Sequence, residues 1–203
     1  MAEQAAEFPV RRRRGRPRKG ESDAREQILA AATEEFGEHG YDGATTRGIA
    51  ARAGVDPASL HHHFGTKADL FAASIDAPLR PDQALREILP GPREELGKRI
   101  VTFMLGVWES PTVQPRALVL LRTGLGNNHA SPLLAGFLRR ELLDKVAASL
   151  DVPDASLRAD LVASQIAGLL IARYLLRFPD IANASVEELV ARVGPTIQRY
   201  LVD

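Results

Sequence analysis

His61, His62 and His63 stand in a row and could, by type, ligate a metal or shuttle protons. Their spacing argues otherwise. Adjacent helical side chains point about 100° apart, so three in a row cannot converge on one ion. What the run offers is hydrogen bonding and a titratable charge aimed outwards. Beside it, Ala58 and Ser59 supply small and polar groups. That outward mixture suits close approach to base edges of DNA. Histidine changes charge between pH 5 and 8, so DNA affinity is expected to rise as the pH falls toward 6. The sequence has no glycine-rich phosphate loop, no His-Glu-x-x-His, no Gly-x-Ser-x-Gly and no recognisable acid pair. No catalytic residue, metal or cofactor is therefore assigned, and the chain does not read as an enzyme.

Two short helices must position these groups. Thr45 or Thr46 caps the first, in which Ile49, Ala50 and Ala53 recur at helical spacing. Gly54 stands where the chain needs a left-handed residue. Asp56 can cap the second helix, and Pro57 suits its first position. Leu60 and Phe64, four apart, turn inward and leave Ala58, Ser59, His61 and His62 outside. Gly65 ends this helix, Thr66 caps the next and Lys67 lies in its first turn. The layout from Thr45 to Phe64 is a helix-turn-helix, whose second helix enters the DNA major groove.

Thr-Thr-Arg-x-Ile-Ala-x-x-Ala-Gly-Val, then Leu-x-x-His-Phe-Gly-x-Lys-x-x-Leu, resembles the DNA-binding domain of tetracycline-repressor (TetR) family regulators over residues 24 to 75. The family usually has tyrosines before the His-Phe pair, where this chain has His61 and His62. The resemblance implies DNA contacts at Thr45, Thr46, Arg47, Ser59, His61, His62 and Lys67. It also implies a dimer built from the last two long helices. An effector pocket between the helices of the second domain would shift the spacing of the two DNA-binding heads.

Composition is that of a globular protein, with 45% hydrophobic and 26% charged residues over 203 positions. Without cysteine there is no disulfide or thiol chemistry. The net charge of zero hides an asymmetry: residues 1 to 20 sum to +5 and the remainder to −5. Such a basic end points to a polyanion partner. Within it, Arg14-Gly15-Arg16-Pro17 matches an AT-hook core, in which Arg14 and Arg16 would enter a narrow A·T minor groove. A nonspecific phosphate-binding tail is the alternative. No signal peptide is evident, and the longest apolar run is the seven residues Ile166 to Ala172. A membrane span needs about 20, so no membrane association and a cytoplasmic location are expected.

The expected organisation is all-α: a disordered basic arm at 1–21, a helix-turn-helix domain at 22–76 and a helical effector-binding and dimerisation domain at 77–203. Ser22 or Asp23 would cap a first helix running to His39, with Gly40 stopping it and Tyr41-Asp42-Gly43 as a loop. Further helices are expected over 82–89, 93–109, 115–126, 131–150 (Ser131 as cap), 155–178 and 185–202. The helix from Ala155 would be the longest, at about 35 Å. Ser164, Gly168, Leu169 and Ala172 on it, with Val193, Ile197 and Leu201 on the last helix, are the expected homodimer interface. Phe103, Val107, Trp108, Leu120, Leu121 and Phe137 are possible apolar lining for an effector, with Arg122 and His129 as polar anchors.

The composite expectation is a homodimeric, ligand-responsive transcriptional repressor on a pseudo-palindromic double-stranded operator, its small-molecule effector unknown. An activator or effector-independent regulator is the first rival. An architectural DNA-bending protein led by the arm, and a carrier or enzyme with a vestigial head, are the others.

Overall fold

The computed structural model describes residues 19–78 and 80–202. Among them every regular element is helical and no strand occurs. The helices are α1 (Lys19–Gly43), α2 (Thr46–Ala53), α3 (Pro57–Phe64), α4 (Lys67–Ser74), α5 (Pro81–Ile88), α6 (Leu96–Glu109), α7 (Gln114–Gly126), α8 (Ala130–Leu138), α9 (Asp144–Leu150), α10 (Ala155–Leu170), α11 (Pro179–Asn183) and α12 (Val186–Val202). A 3₁₀ turn, Arg93–Glu95, leads into α6.

Two apolar clusters organise them. The head cluster joins Ile28, Ala32 and Phe36 of α1 to Ile49 and Ala50 of α2, Leu60 of α3 and Leu70 and Phe71 of α4. These spacings put one stripe of each short helix inward. The body cluster joins α5, α6, α7, α9, α10 and α12. Its tightest crossing is α6 on α12, where a Cβ on Gly97 would lie 2.5 Å from the Gly194 carbonyl oxygen. Glycine is what lets these two backbones touch.

Several expectations are corrected. Helix α1 begins at Lys19, so neither Ser22 nor Asp23 is its cap, and residues 19–21 are helical rather than disordered. Past Pro17, nothing in Lys-Gly-Glu-Ser forbids helical φ and ψ, and propagation adds one bond per residue. Gly40 does break the helix, at φ 74° and ψ 173°, but Tyr41–Gly43 then form one more turn instead of a loop. Tyr41 is buried there.

The helix expected over 131–150 is instead α8 and α9, joined by a π-helical turn, Arg139–Leu143. Its cap is not Ser131. The Asn127 carboxamide oxygen accepts from the His129 and Ala130 N–H groups at 2.9 and 3.0 Å, and the Ser131 hydroxyl donates to the Gly124 carbonyl. A second π turn, Ile171–Leu175, ends α10 short of Phe178. Together they make a helix of 21 residues, Ala155–Leu175, long and apolar enough by length and composition to cross a membrane. The seven-residue run considered in the sequence understated it. In the structure it packs against α9 and α12. Its Arg173 is buried and bonded to Glu109 of α6 at 2.8 Å and to the Ala184 carbonyl at 3.0 Å.

Candidate functional site

The helix-turn-helix is assembled from local bonds that the residue types dictate. The Thr45 hydroxyl accepts from the Gly48 N–H at 2.9 Å and closes the start of α2. Gly54 adopts φ 66°, ψ 30°, and the Val55 N–H returns to the Ala50 carbonyl at 3.0 Å. That bond turns the chain between α2 and α3. The Asp56 carboxylate accepts from the Ala58 N–H at 2.7 Å, with Pro57 in the first turn where no N–H is wanted. Thr66 and Asp69 then form a reciprocal capping box at the start of α4.

Helix α2 is pinned to α1 by charge. Arg52 donates to Glu38 at 2.6 Å and to Glu34 and Glu35 at 3.2 Å. Gly48 faces the same spot: a Cβ there would meet the Glu35 carboxylate at 2.3 Å. Sequence reasoning passed over this glycine, whose reason is the helix next door and not a turn.

With Leu60 buried, α3 turns Ala58, His61 and His62 to solvent and leaves Ser59 half-buried beside them. Arg47 is exposed on α2, next to the exposed Thr45 and half-buried Thr46. Among the described residues, Thr45, Arg47, Ala58, His61 and His62 are thus the fully exposed members of the expected DNA-contact set. Two expected contacts are already engaged. A ring nitrogen of His61 lies 2.7 Å from the Gly65 carbonyl oxygen, which fixes the imidazole at the end of α3. Lys67 is half-buried, with its ammonium 4.7 Å from the centre of the Tyr41 ring and donating to the Asp42 carbonyl at 3.3 Å. Burial lowers its pKa from the usual lysine value, partly offset by Asp42 and Glu141. Lys67 thus braces α4 against the end of α1. Arg14 and Arg16 lie outside the described residues.

The body holds a cavity of about 280 Å³ between α5, α6, α7, α8, α9 and α10. Val107, Trp108, Leu120, Leu121 and Phe137 line it. Phe103, Arg122 and His129 do not. Phe103 packs against the body cluster from another face of α6, while Arg122 and His129 are exposed. A helical stripe gives the angle between side chains but not which angle faces the void. The lining that sequence reasoning missed comes from Ile75 and Pro78 near the end of the head, from Leu142 and Leu143 in the π turn, and from Val162, Ile166 and Leu170 of α10.

Phe137 belongs to both regions. It lines the cavity, yet its ring stands 4.6 Å from Phe71 and 5.2 Å from Tyr41 in the head. The Tyr41 hydroxyl donates to Glu141 of the π turn at 2.7 Å. Burial, then the Glu141 carboxylate, raise the tyrosine pKa far out of reach, so this donor stays protonated.

The expected dimer face is corrected in part. Ile197 and Leu201 are fully buried within the chain against α6 and α10, so they are unavailable to a second copy. Ser164 and Gly168 are exposed, and open space surrounds the Gly168 Cα. Leu157 and Leu161, 59% and 38% exposed, continue their stripe along α10. Leu169, Ala172 and Val193 are half-buried.

Residues 28–74 match the family described as bacterial regulatory proteins, tetR family, and residues 94–201 match the tetracyclin repressor-like C-terminal domain. The HTH-type transcriptional dual regulator CecR of Shigella flexneri is 51% identical over 55 residues, 27% of this chain and 24% of that protein. The chain thus spans about a quarter of the length of the first curated relatives it matches. The HTH-type transcriptional regulator BetI of Rhizobium meliloti is 30% identical over 169 residues, 80% of this chain and 83% of that protein. A TetR-family regulator from Streptomyces coelicolor of known structure is 30% identical, with a TM-score of 0.47, over 93% of this chain and 100% of that one. The two family matches and the BetI relative agree with the capped helix-turn-helix and the helical body: this chain belongs to the TetR family of DNA-binding transcriptional regulators.

Proposed function

We propose that the chain is a ligand-responsive repressor that binds a pseudo-palindromic operator as a homodimer and works in the cytoplasm. Helix α3 enters the major groove, with Ala58 and His62 nearest the bases and Ser59 and His61 at the sides. Arg47, Thr45 and Thr46 hold the phosphates, and Arg14 and Arg16 follow the minor groove. The dimer buries the exposed stripe of α10, Leu157, Leu161, Ser164 and Gly168, which otherwise leaves large aliphatic groups in water. Exposed Ala191 and Pro195 on the outer side of α12 extend that face.

The observation that carries the regulatory half is the double membership of Phe137. A molecule entering the cavity meets a side chain that is also part of the head's core. The cavity, about 280 Å³ and walled by apolar side chains, has room for a small organic molecule. An occupant that prefers one arrangement of Phe137 shifts the population of head positions, and through them the fit to two half-sites about 34 Å apart or a multiple of that.

The test is binding of the purified chain to the DNA upstream of its own gene, against scrambled DNA, at two salt concentrations. The expected result is a two-half-site footprint that survives the higher salt on the native sequence alone. Arg47→Ala should lower the salt slope by about one. Equal, salt-labile binding to both DNAs would contradict sequence-specific repression. It would favour an architectural role led by the arm.

A further inference from the structure

Among the described residues every one lining the body cavity is apolar in type, and the lining side chains carry only two weakly polar groups, the indole N–H of Trp108 and the thioether sulfur of Met104. Two carboxylates adjacent in sequence to lining residues, Glu109 beside Trp108 and Glu141 beside Leu142, are engaged elsewhere. Glu109 accepts from Arg173 at 2.8 Å and from the Tyr174 hydroxyl at 2.8 Å. Glu141 accepts from Lys145 and Tyr41, each at 2.7 Å. A charged ligand would therefore enter without a counter-charge, and burying an unpaired charge is among the costliest events in a protein interior.

A quaternary ammonium would need several free aromatic faces. Among the described residues only Trp108 and Phe137 bring aromatic rings to the wall, too few for such a cage, and each already packs on other rings. Trp108 stacks on Tyr174 at 5.1 Å, and Phe137 packs on Tyr41 and Phe71. Size narrows the choice further. An apolar cavity of ~150 Å³ holds one benzene ring, and this one, at about 280 Å³, is a little under twice that. A neighbouring cleft of about 340 Å³, between α4, α7 and α8, does carry charge, but its Arg116 and Asp76 face each other at 3.7 Å.

We infer that the body cavity binds a neutral, predominantly hydrocarbon molecule with the bulk of about two fused six-membered rings, and discriminates against charged molecules of the same shape. This rests on reading the chain as a ligand-responsive regulator. The ligand gains by leaving water.

The chain's sole tryptophan lies in the wall, so emission at Trp108 reports occupancy directly. The full-length protein is titrated with decalin, decalin-2-carboxylate and choline, followed by tryptophan emission and by calorimetry. Decalin should bind saturably, one molecule per chain, the carboxylate at least about tenfold more weakly, and choline not at all. Ala163→Leu, which extends a lining side chain into the void, should keep its helical circular dichroism and lose decalin binding. Tighter binding of the carboxylate or of choline overturns the inference, as does the absence of saturable decalin binding. Operator affinity is measured in the same samples. Decalin bound with operator affinity unchanged supports the ligand class and sinks the regulatory reading. Operator released by a charged ligand, with decalin unbound, sinks the class and leaves the regulator.

Discussion

In the head, Ile28, Phe36, Ile49, Leu60, Leu70 and Phe71 are all but inaccessible, and each of α2, α3 and α4 starts with a side-chain cap. In the body, six helices lean around a void, two π turns interrupt the helical ladder, and an apolar stripe of α10 stays uncovered. On the proposed reading, the head presents one face to DNA and gains from a single packing, while the body admits a ligand and a second copy and needs slack. The π turn at Arg139–Leu143 shows how slack is made. One residue too many per turn lets Phe137 and Leu138 before it, and Leu142 and Leu143 after it, all reach the same cavity.

The largest expected effect comes where the body is tight. Gly97→Ala would drive a Cβ to 2.5 Å from the Gly194 carbonyl oxygen and 2.6 Å from the Gln198 nitrogen, both backbone. Helices α6 and α12 would have to separate, at a cost of about 3 kcal/mol or more, measured as a fall in the urea midpoint. Gly48→Ala in the head meets a side chain, Glu35, which can swing aside at the expense of its bond to Arg52. It should cost only about 1 kcal/mol. Equal costs would contradict the distinction between backbone and side-chain obstruction.

Identical truncations sharpen the contrast. Leu60→Ala, in the closed head, should cost about 3 kcal/mol. Leu121→Ala, where the side chain already borders the void, should cost about 1 kcal/mol because fewer contacts are lost. Denaturant titration of both variants decides it. Next in size, Tyr41→Phe deletes the bond to Glu141 that ties head to body and should cost about 1 kcal/mol. A ligand-bound chain should then show less of its cavity occupancy at the operator.

The smallest expected effect is the acid limb of stability. The Arg173 hydrogen bond holds Glu109 below the usual carboxylate value of 4.5. Burial pushes Glu141 up, but the Lys145 and Tyr41 hydrogen bonds outweigh it and hold this carboxylate low as well. Each folded-state value lies below the unfolded one. Both groups therefore contribute stability that is present above pH 4.5 and lost as the pH falls through the folded values. The melting temperature should drop below pH 4.5, and less steeply in Glu109→Gln combined with Glu141→Gln. Both carboxylates are partly exposed, so solvent screening keeps the difference modest.

Thr45, Gly54, Asp56, Pro57 and Thr66 were legible in the sequence because each acts on backbone groups within a few residues of itself. So was the outward face of α3, once Leu60 and Phe64 fixed the inward one. Gly48 was not legible, since its neighbour Glu35 arrives from another helix. Ile197 and Leu201 were misplaced at the dimer face for a related reason. An apolar stripe announces burial but does not say whether its own chain or a partner covers it, and here α6 does. The residue type of Phe137 marks it as cavity lining. That it also completes the head's core follows only from the docking of α8 against α1.

The most direct test of coupling between cavity and head is operator affinity measured at zero and at saturating cavity occupancy, with Trp108 emission reporting occupancy. Coupling through Phe137 predicts that saturation weakens operator binding by at least about fivefold. An unchanged operator affinity at full occupancy would contradict it.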